Sequence, residues 1–174
     1  MIGNSLTENG GDWSKRLGVS NIKNRGIIGN DAMGIYNRLN QIVSGKPKKI
    51  FLMCGINDVS HNLTTDSIVK MVDLIVSKIQ KESPDTKLYL QSLLPINESF
   101  ARYKRLESKT DQVPEINAGL EKMAKLHKIT FVKLFPLFVD KNTNILRKEL
   151  TGDGLHLNET GYEIWVNELK KYVK

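Results

Sequence analysis

Lys49-Ile50-Phe51-Leu52-Met53-Cys54-Gly55-Ile56-Asn57-Asp58 is an apolar run that stops abruptly at a glycine and a polar pair. Residues 50–54 carry no polar side chain on either alternation, so 49–54 reads as a strand buried on both faces, with Cys54 as a small interior residue. Buried strands of this kind belong to parallel sheets, which need a helix between successive strands. The 55–58 stretch then lies in a loop at the C-terminal end of that strand.

The flanking sequence supplies the helices. Downstream, Thr64 or Thr65 caps a helix over 65–81 that turns Ile68, Val72, Ile75, Val76 and Ile79 inward. Pro84-Asp85 makes a turn, 87–92 is the next strand, and Pro114 suits the first turn of a helix over 114–127. Residues 130–134 form a last strand, and Asn158 caps a helix over 159–172 with Ile164, Trp165 and Leu169 inward. Upstream, a helix over 32–43 buries Ile35, Leu39, Ile42 and Val43, a short strand covers 19–23, and a short helix covers 13–17. Met1-Ile2 is the tail of a first strand that is otherwise missing, which leaves either a trimmed chain or a poorly anchored N-terminus. Alternating strands and helices predict a three-layer α/β/α sandwich, a single domain over 1–174 around a flavodoxin-like parallel sheet of about five strands.

Composition excludes several classes. A chain of 174 residues with 40% hydrophobic and 26% charged residues folds without staples. Its single cysteine permits no intrachain disulfide. The net charge of +7 is spread over polar helix faces (Lys70, Lys78, Lys122, Lys125, Lys170) without interleaved aromatics, so no nucleic-acid partner is expected. No apolar run is long enough for a membrane span. Three scattered histidines lack ligand spacing, so no metal and no cofactor is expected.

Chemistry concentrates in four places, each after a strand, where open α/β sheets bind ligands. Asp153-Gly154-Leu155-His156 sets a carboxylate three residues from an imidazole, the pair that makes a general base and orients it. Gly3-Asn4-Ser5 presents a hydroxyl from a tight turn, Gly29 lies in a glycine-bearing turn, and Asn57 offers a neutral amide donor. Taken singly, each has an ordinary role: Ser5 as a helix cap, Gly29, Asn57 and Asp58 as turn residues, and Asp153 with His156 as a pre-helix turn. Asp58 keeps that role as a loop-holding acceptor, His61 belongs to a surface loop or the pocket rim, and His127 ends a helix.

Together, Gly3-Asn4-Ser5-Leu6-Thr7, Asn24-Arg25-Gly26-Ile27-Ile28-Gly29-Asn30-Asp31, Gly55-Ile56-Asn57-Asp58 and Asp153-Gly154-Leu155-His156 resemble, in order, the four blocks of the SGNH or GDSL-type serine hydrolases. The resemblance implies Ser5 as nucleophile, His156 as general base and then acid, and Asp153 as the orienting carboxylate. It places the oxyanion hole at the N–H groups of Ser5 and Gly29 and the side-chain amide of Asn57. Asn4 departs from the family's usual aspartate beside the nucleophile.

The chain looks closest to platelet-activating-factor acetylhydrolase-like and bacterial carbohydrate O-acetylesterase members. This implies cleavage of small O-acyl esters, acetyl foremost, on a small-molecule or carbohydrate alcohol. The segment 96–111 then shapes the substrate site through Phe100, Arg102 and Tyr103, with His61 nearby. The resemblance also points to an exported bacterial protein whose leader has been removed. A lysophospholipase or thioesterase with the same triad is the enzymatic alternative, and an inactive carbohydrate-binding module the non-enzymatic one. A flavodoxin-like nucleotide binder is disfavoured because Asn4-Ser5-Leu6-Thr7-Glu8 is too poor in glycine to cradle phosphates.

Overall fold

The computed structural model describes residues 1–173. Five parallel strands form one sheet: β1 (Ile2–Gly3), β2 (Arg25–Gly26), β3 (Lys49–Leu52), β4 (Lys87–Gln91) and β5 (Thr130–Val132), in the order β2-β1-β3-β4-β5. The order reverses between β1 and β3, and the crevice beyond the strand ends at such a reversal is where doubly wound sheets place ligands. Both strands lead straight into motif-bearing turns.

Between β1 and β2 lie α1 (Ser5–Asn9) and α2 (Trp13–Leu17); between β2 and β3 lie α3 (Ala32–Arg38) and α4 (Asn40–Val43). The α5 (Ile56–Ser60) and α6 (Thr65–Glu82) helices precede β4, α7 (Gln112–Leu126) precedes β5, and α8 (Glu159–Val173) closes the order. Helices α3, α6 and α7 pack side by side, whereas α2 packs on α8. The α6 helix forms as its periodicity predicts: the Thr64 hydroxyl accepts from the Ser67 N–H at 3.3 Å, and Ile68, Val72, Ile75, Val76 and Ile79 are all buried. Each such side chain contributes roughly 1.5–3 kcal/mol relative to exposure. On the α2/α8 side, Trp13 and Trp165 meet edge to face at 5.1 Å, and the Trp165 indole N–H donates to Gln91 Oε1 at 2.7 Å.

Several expectations are corrected. Residues 19–23 are not a strand: Asn21 turns the chain with φ of +66°, and pairing begins only where Arg25 aligns with Ile2. The 32–43 helix is broken at Leu39, whose N–H reaches back only to Tyr36, and Ile42 is half-buried. Residues 56–58, expected in a loop, open the short helix α5. The N-terminus is well anchored, not loose. The Met53 N–H donates to Ile2, the Arg25 N–H to Met1 and the Ile27 N–H to Gly3, so two residues pair with both neighbouring strands. No helix of the described residues is long and apolar enough to cross a membrane.

Candidate active site

Ser5 is the first residue of α1, with one residue between it and β1, the strand that lies between β2 and β3. Asn4 caps that helix, its Oδ1 accepting from the Leu6 N–H at 3.0 Å, so a neutral amide does the capping where the family usually has aspartate. As first residue of the helix, Ser5 has a backbone N–H with no intrahelical acceptor. Its hydroxyl points at the C-terminal turn: Ser5 Oγ lies 2.9 Å from His156 Nε2, across 151 positions of sequence.

The turn that brings His156 there is held by the carboxylate of Asp153. Oδ1 accepts the N–H groups of Leu155 at 2.9 Å and His156 at 2.8 Å, while Oδ2 lies 2.8 Å from His156 Nδ1. An ionised carboxylate only accepts, so the proton on Nδ1 faces Asp153 and the bare Nε2 faces Ser5. Burial opposes ionisation of Asp153. The bonds from the His156 ring, the two backbone N–H groups and the Tyr103 hydroxyl outweigh it and hold the carboxyl at about 2. Gly154 is needed between them: its φ is +85°, and a Cβ there would stand 2.2 Å from the Asn97 carbonyl oxygen.

The second turn runs from Ile27 to Asn30, closed by the Asn30 N–H on the Ile27 carbonyl at 3.1 Å. Gly29 holds its third position with φ of +78°, where a type II turn requires a positive φ. This turn is stitched to the turn that carries Ser5. The Ile28 N–H donates to the Glu8 carboxylate, and the Arg38 guanidinium donates to the Gly3 carbonyl at 3.1 Å and to Asn30 Oδ1 at 2.7 Å. Asn57 reaches it from α5, its amide donating to the Asn30 carbonyl at 2.8 Å. Serine, imidazole and carboxylate thus meet directly, and the Asn57 amide meets the turn that carries Gly29.

Asp58, beside Asn57, is buried and grips the start of α3, its two oxygens 3.2 and 3.1 Å from the Ala32 N–H. Burial raises its carboxyl to about 6; the Ala32 bond pulls it back, and the neighbouring Asp31 raises it further. His61 and the buried Cys54 are the other titratable groups coupled to it. A carboxyl raised on folding contributes stability that is full below about 4 and lost as pH rises through about 6. Asp58→Asn keeps the acceptor and removes the charge. Relative to the wild type it gains up to about 3 kcal/mol between pH 4 and pH 7, read from urea unfolding at both. A difference that stays flat with pH would sink this assignment.

His61 sits at the end of α5, its Nδ1 3.5 Å from Asp31 Oδ2 at the surface, and no bond joins it to Ser5, Asp153 or His156. Phe100 and Arg102 lie on the irregular segment after β4, with Arg102 exposed. Tyr103 reaches the Asp153–His156 turn: its hydroxyl donates to Asp153 Oδ2 at 2.8 Å and lies 3.1 Å from His156 Nδ1. Nothing local announces that contact, because Tyr103 and Asp153 are 50 positions apart and Tyr103 lies in no regular helix or strand. His127 bridges to Asp73 and Gln80 on α6.

Known proteins are similar to the chain in sequence or in fold. The N-acylneuraminate cytidylyltransferase of Escherichia coli O18:K1:H7 (strain RS218 / NMEC) is 25% identical over the whole chain, which covers 40% of that protein. The chain spans less than two thirds of the curated relatives it matches, 40% and 61% of their lengths. A Streptococcus pneumonia structure provisionally described as a platelet activating factor superposes with a TM-score of 0.90 at 28% identity, over 99% of this chain and 82% of that one. A GDSL-like lipase from Bacteroides thetaiotaomicron VPI-5482 does so with a TM-score of 0.85 at 25% identity, over 98% and 84%. The sequence model of the GDSL-like lipase/acylhydrolase family matches residues 1–164. The chain therefore belongs to the GDSL-like lipase/acylhydrolase family.

Proposed function

We propose that the chain is a serine esterase, a single domain that hydrolyses small O-acyl esters, acetyl above all, on carbohydrate or phospholipid-like alcohols. The observation that carries this reading is the unbroken run from Ser5 Oγ to His156 Nε2, 2.9 Å, and from His156 Nδ1 to Asp153 Oδ2, 2.8 Å. Ser5 Oγ attacks the ester carbonyl carbon while its proton passes to His156 Nε2. Negative charge moves onto the carbonyl oxygen, where the N–H groups of Ser5 and Gly29 and the Asn57 amide receive it. Collapse breaks the bond to the alkoxy oxygen, which leaves with the proton from His156. Water then repeats the sequence on the acyl-Ser5 ester, His156 accepting its proton, and the carboxylic acid departs. Asp153 stays ionised throughout and keeps the Nδ1 proton in place.

A carbohydrate partner is supported by the relative named for an N-acylneuraminate. Acetate release from acetylated xylan, O-acetylated sialic acid and acetylated phospholipid tests the proposal, with one of the sugar esters expected to be the best substrate.

A second reading, a lysophospholipase or thioesterase, is favoured by Ile27 and Ile28, 45% and 64% exposed on the turn that carries Gly29. A chain-length series of p-nitrophenyl esters separates the two: preference for eight or more carbons over acetate selects the second. Asn57→Ala tests the oxyanion assignment. It removes one donor and lowers kcat about 10²–10³-fold with KM for p-nitrophenyl acetate little changed. A purely structural Asn57 would lower stability and leave kcat of the folded protein intact.

A further inference from the structure

Tyr103 lies between the two functions of the fold. It belongs to the irregular segment after β4, whose exposed residues face solvent, yet its hydroxyl is hydrogen-bonded into the Asp153–His156 pair. The segment is held rigidly enough to deliver that hydroxyl. The Glu98 carboxylate gathers its return limb, accepting the N–H groups of Ser108 at 2.7 Å, Lys109 at 3.0 Å and Thr110 at 2.8 Å, and the Thr110 hydroxyl at 2.6 Å. The Asn97 N–H donates to the Gly154 carbonyl at 2.8 Å, joining the other limb to the turn that carries Asp153. Leu106, buried just beyond Tyr103, donates its N–H to the Tyr103 carbonyl at 2.9 Å.

The two oxygens of Asp153 then have different duties. Oδ1 is engaged by the backbone N–H groups of its own turn. Oδ2 faces the imidazole, and there the Tyr103 hydroxyl takes the position next to Nδ1. The phenol ring also stands edge-on to the His156 ring, centroids 5.8 Å apart at 70°. Hydroxyl and ring together restrict both the carboxylate and the imidazole that it orients.

We infer that Tyr103 is a positioning residue for the ester hydrolysis, holding Asp153 Oδ2 and the His156 ring in register with Ser5, and not a contact for the sugar or head group. The inference rests on the triad reading given above. Burial and the bond to Asp153 both push the phenol upward, with Arg102 opposing them, so Tyr103 remains a neutral donor at neutral pH. Because its hydroxyl acts on Asp153, its loss is felt in turnover and leaves substrate affinity alone.

The test is a double-mutant cycle on p-nitrophenyl acetate and on the best acetylated sugar, using Tyr103→Phe, Asp153→Ala and the pair, with Ser5→Ala as control. Tyr103→Phe keeps the ring and loses the hydroxyl. It is expected to lower kcat about tenfold with KM unchanged, the scale set by losing one hydrogen bond to a charged group. In the Asp153→Ala background the same change is expected to cost clearly less than tenfold, since the carboxylate is gone and only the 3.1 Å approach to His156 Nδ1 is left to lose. A rise in KM for the sugar ester at constant kcat would overturn the inference in favour of substrate contact. Equal losses in both backgrounds would overturn it in favour of a role in the segment's fold alone. Should Ser5→Ala remain active, the triad reading itself fails; should Ser5→Ala be inactive while Tyr103→Phe matches the wild type, only the role of Tyr103 does.

Discussion

Ser5→Ala is expected to lower kcat for p-nitrophenyl acetate about 10⁶-fold, the effect of removing a nucleophile from a set that works as one unit. The substitution is clean. The Ser5 side chain bonds only to His156 Nε2 among the described residues, and alanine is a good helix former at the position that opens α1. The unfolding midpoint is therefore expected to stay within a few degrees of the wild type. A fluorophosphonate probe is expected to label the wild type and not the variant. Equal acetate release by both proteins would remove Ser5 from the chemistry.

Asp153→Asn is expected to cost about 10⁴ in kcat, by reversing the imidazole tautomer. Asparagine keeps an Oδ1 for the Leu155 and His156 N–H groups, so the turn persists. It also places an amide donor against His156 Nδ1, where the wild type has an acceptor at 2.8 Å. The ring then carries its proton on Nε2 and points it at Ser5, leaving no base for the hydroxyl. The carboxylate has a second signature in stability. Its carboxyl is held at about 2, below its unfolded value of 3.8, so its contribution is full above about 4 and lost as pH falls through about 2. Urea unfolding of the wild type and variant at pH 2 and pH 6 reads this out: the gap between them closes toward the lower pH. A variant that retains more than about a tenth of wild-type kcat would mean that Asp153 does not set the tautomer.

The parts of the fold legible in the sequence are those with local repetition. Residues 65–82 repeat their apolar side chains with helical spacing, and all five inward residues expected there are buried. Residues 49–52 are apolar enough to be recognised as an interior strand. By contrast β1 is two residues long, too short for any periodicity, and its place inside the sheet, between β2 and β3, follows from pairing with residues 25 and 52. The alternation over 19–23 imitated a strand because Ile22 is half-buried, but the left-handed turn at Asn21 prevents pairing there.

At the site, the short-range pieces were readable: Asp153 and His156 share one turn, and Gly29 occupies the turn position that demands glycine. Long-range contacts were not. Tyr103 meets Asp153 across 50 positions, and Glu98 gathers backbone N–H groups 10 to 12 residues ahead in an irregular segment, where neither propensity nor spacing marks a partner. Asp58 was readable as a loop-holding acceptor, while the identity of what it holds, the Ala32 N–H, was not.

The helix that Ser5 opens is fastened to residues far along the chain. Tyr162 donates its hydroxyl to the Leu6 carbonyl at 2.8 Å across 156 positions, and Arg16 grips Glu159 through two bonds of 2.6 and 2.9 Å. During translation the first turn emerges from the ribosome long before α8 exists, and such distant closures are late events in assembly. A nascent chain still holding α8 in the exit tunnel lacks both the imidazole at Ser5 and the Tyr162 hydroxyl that pins α1. The pairing of Ser5 with His156 on a pinned α1 therefore waits for α8 to dock.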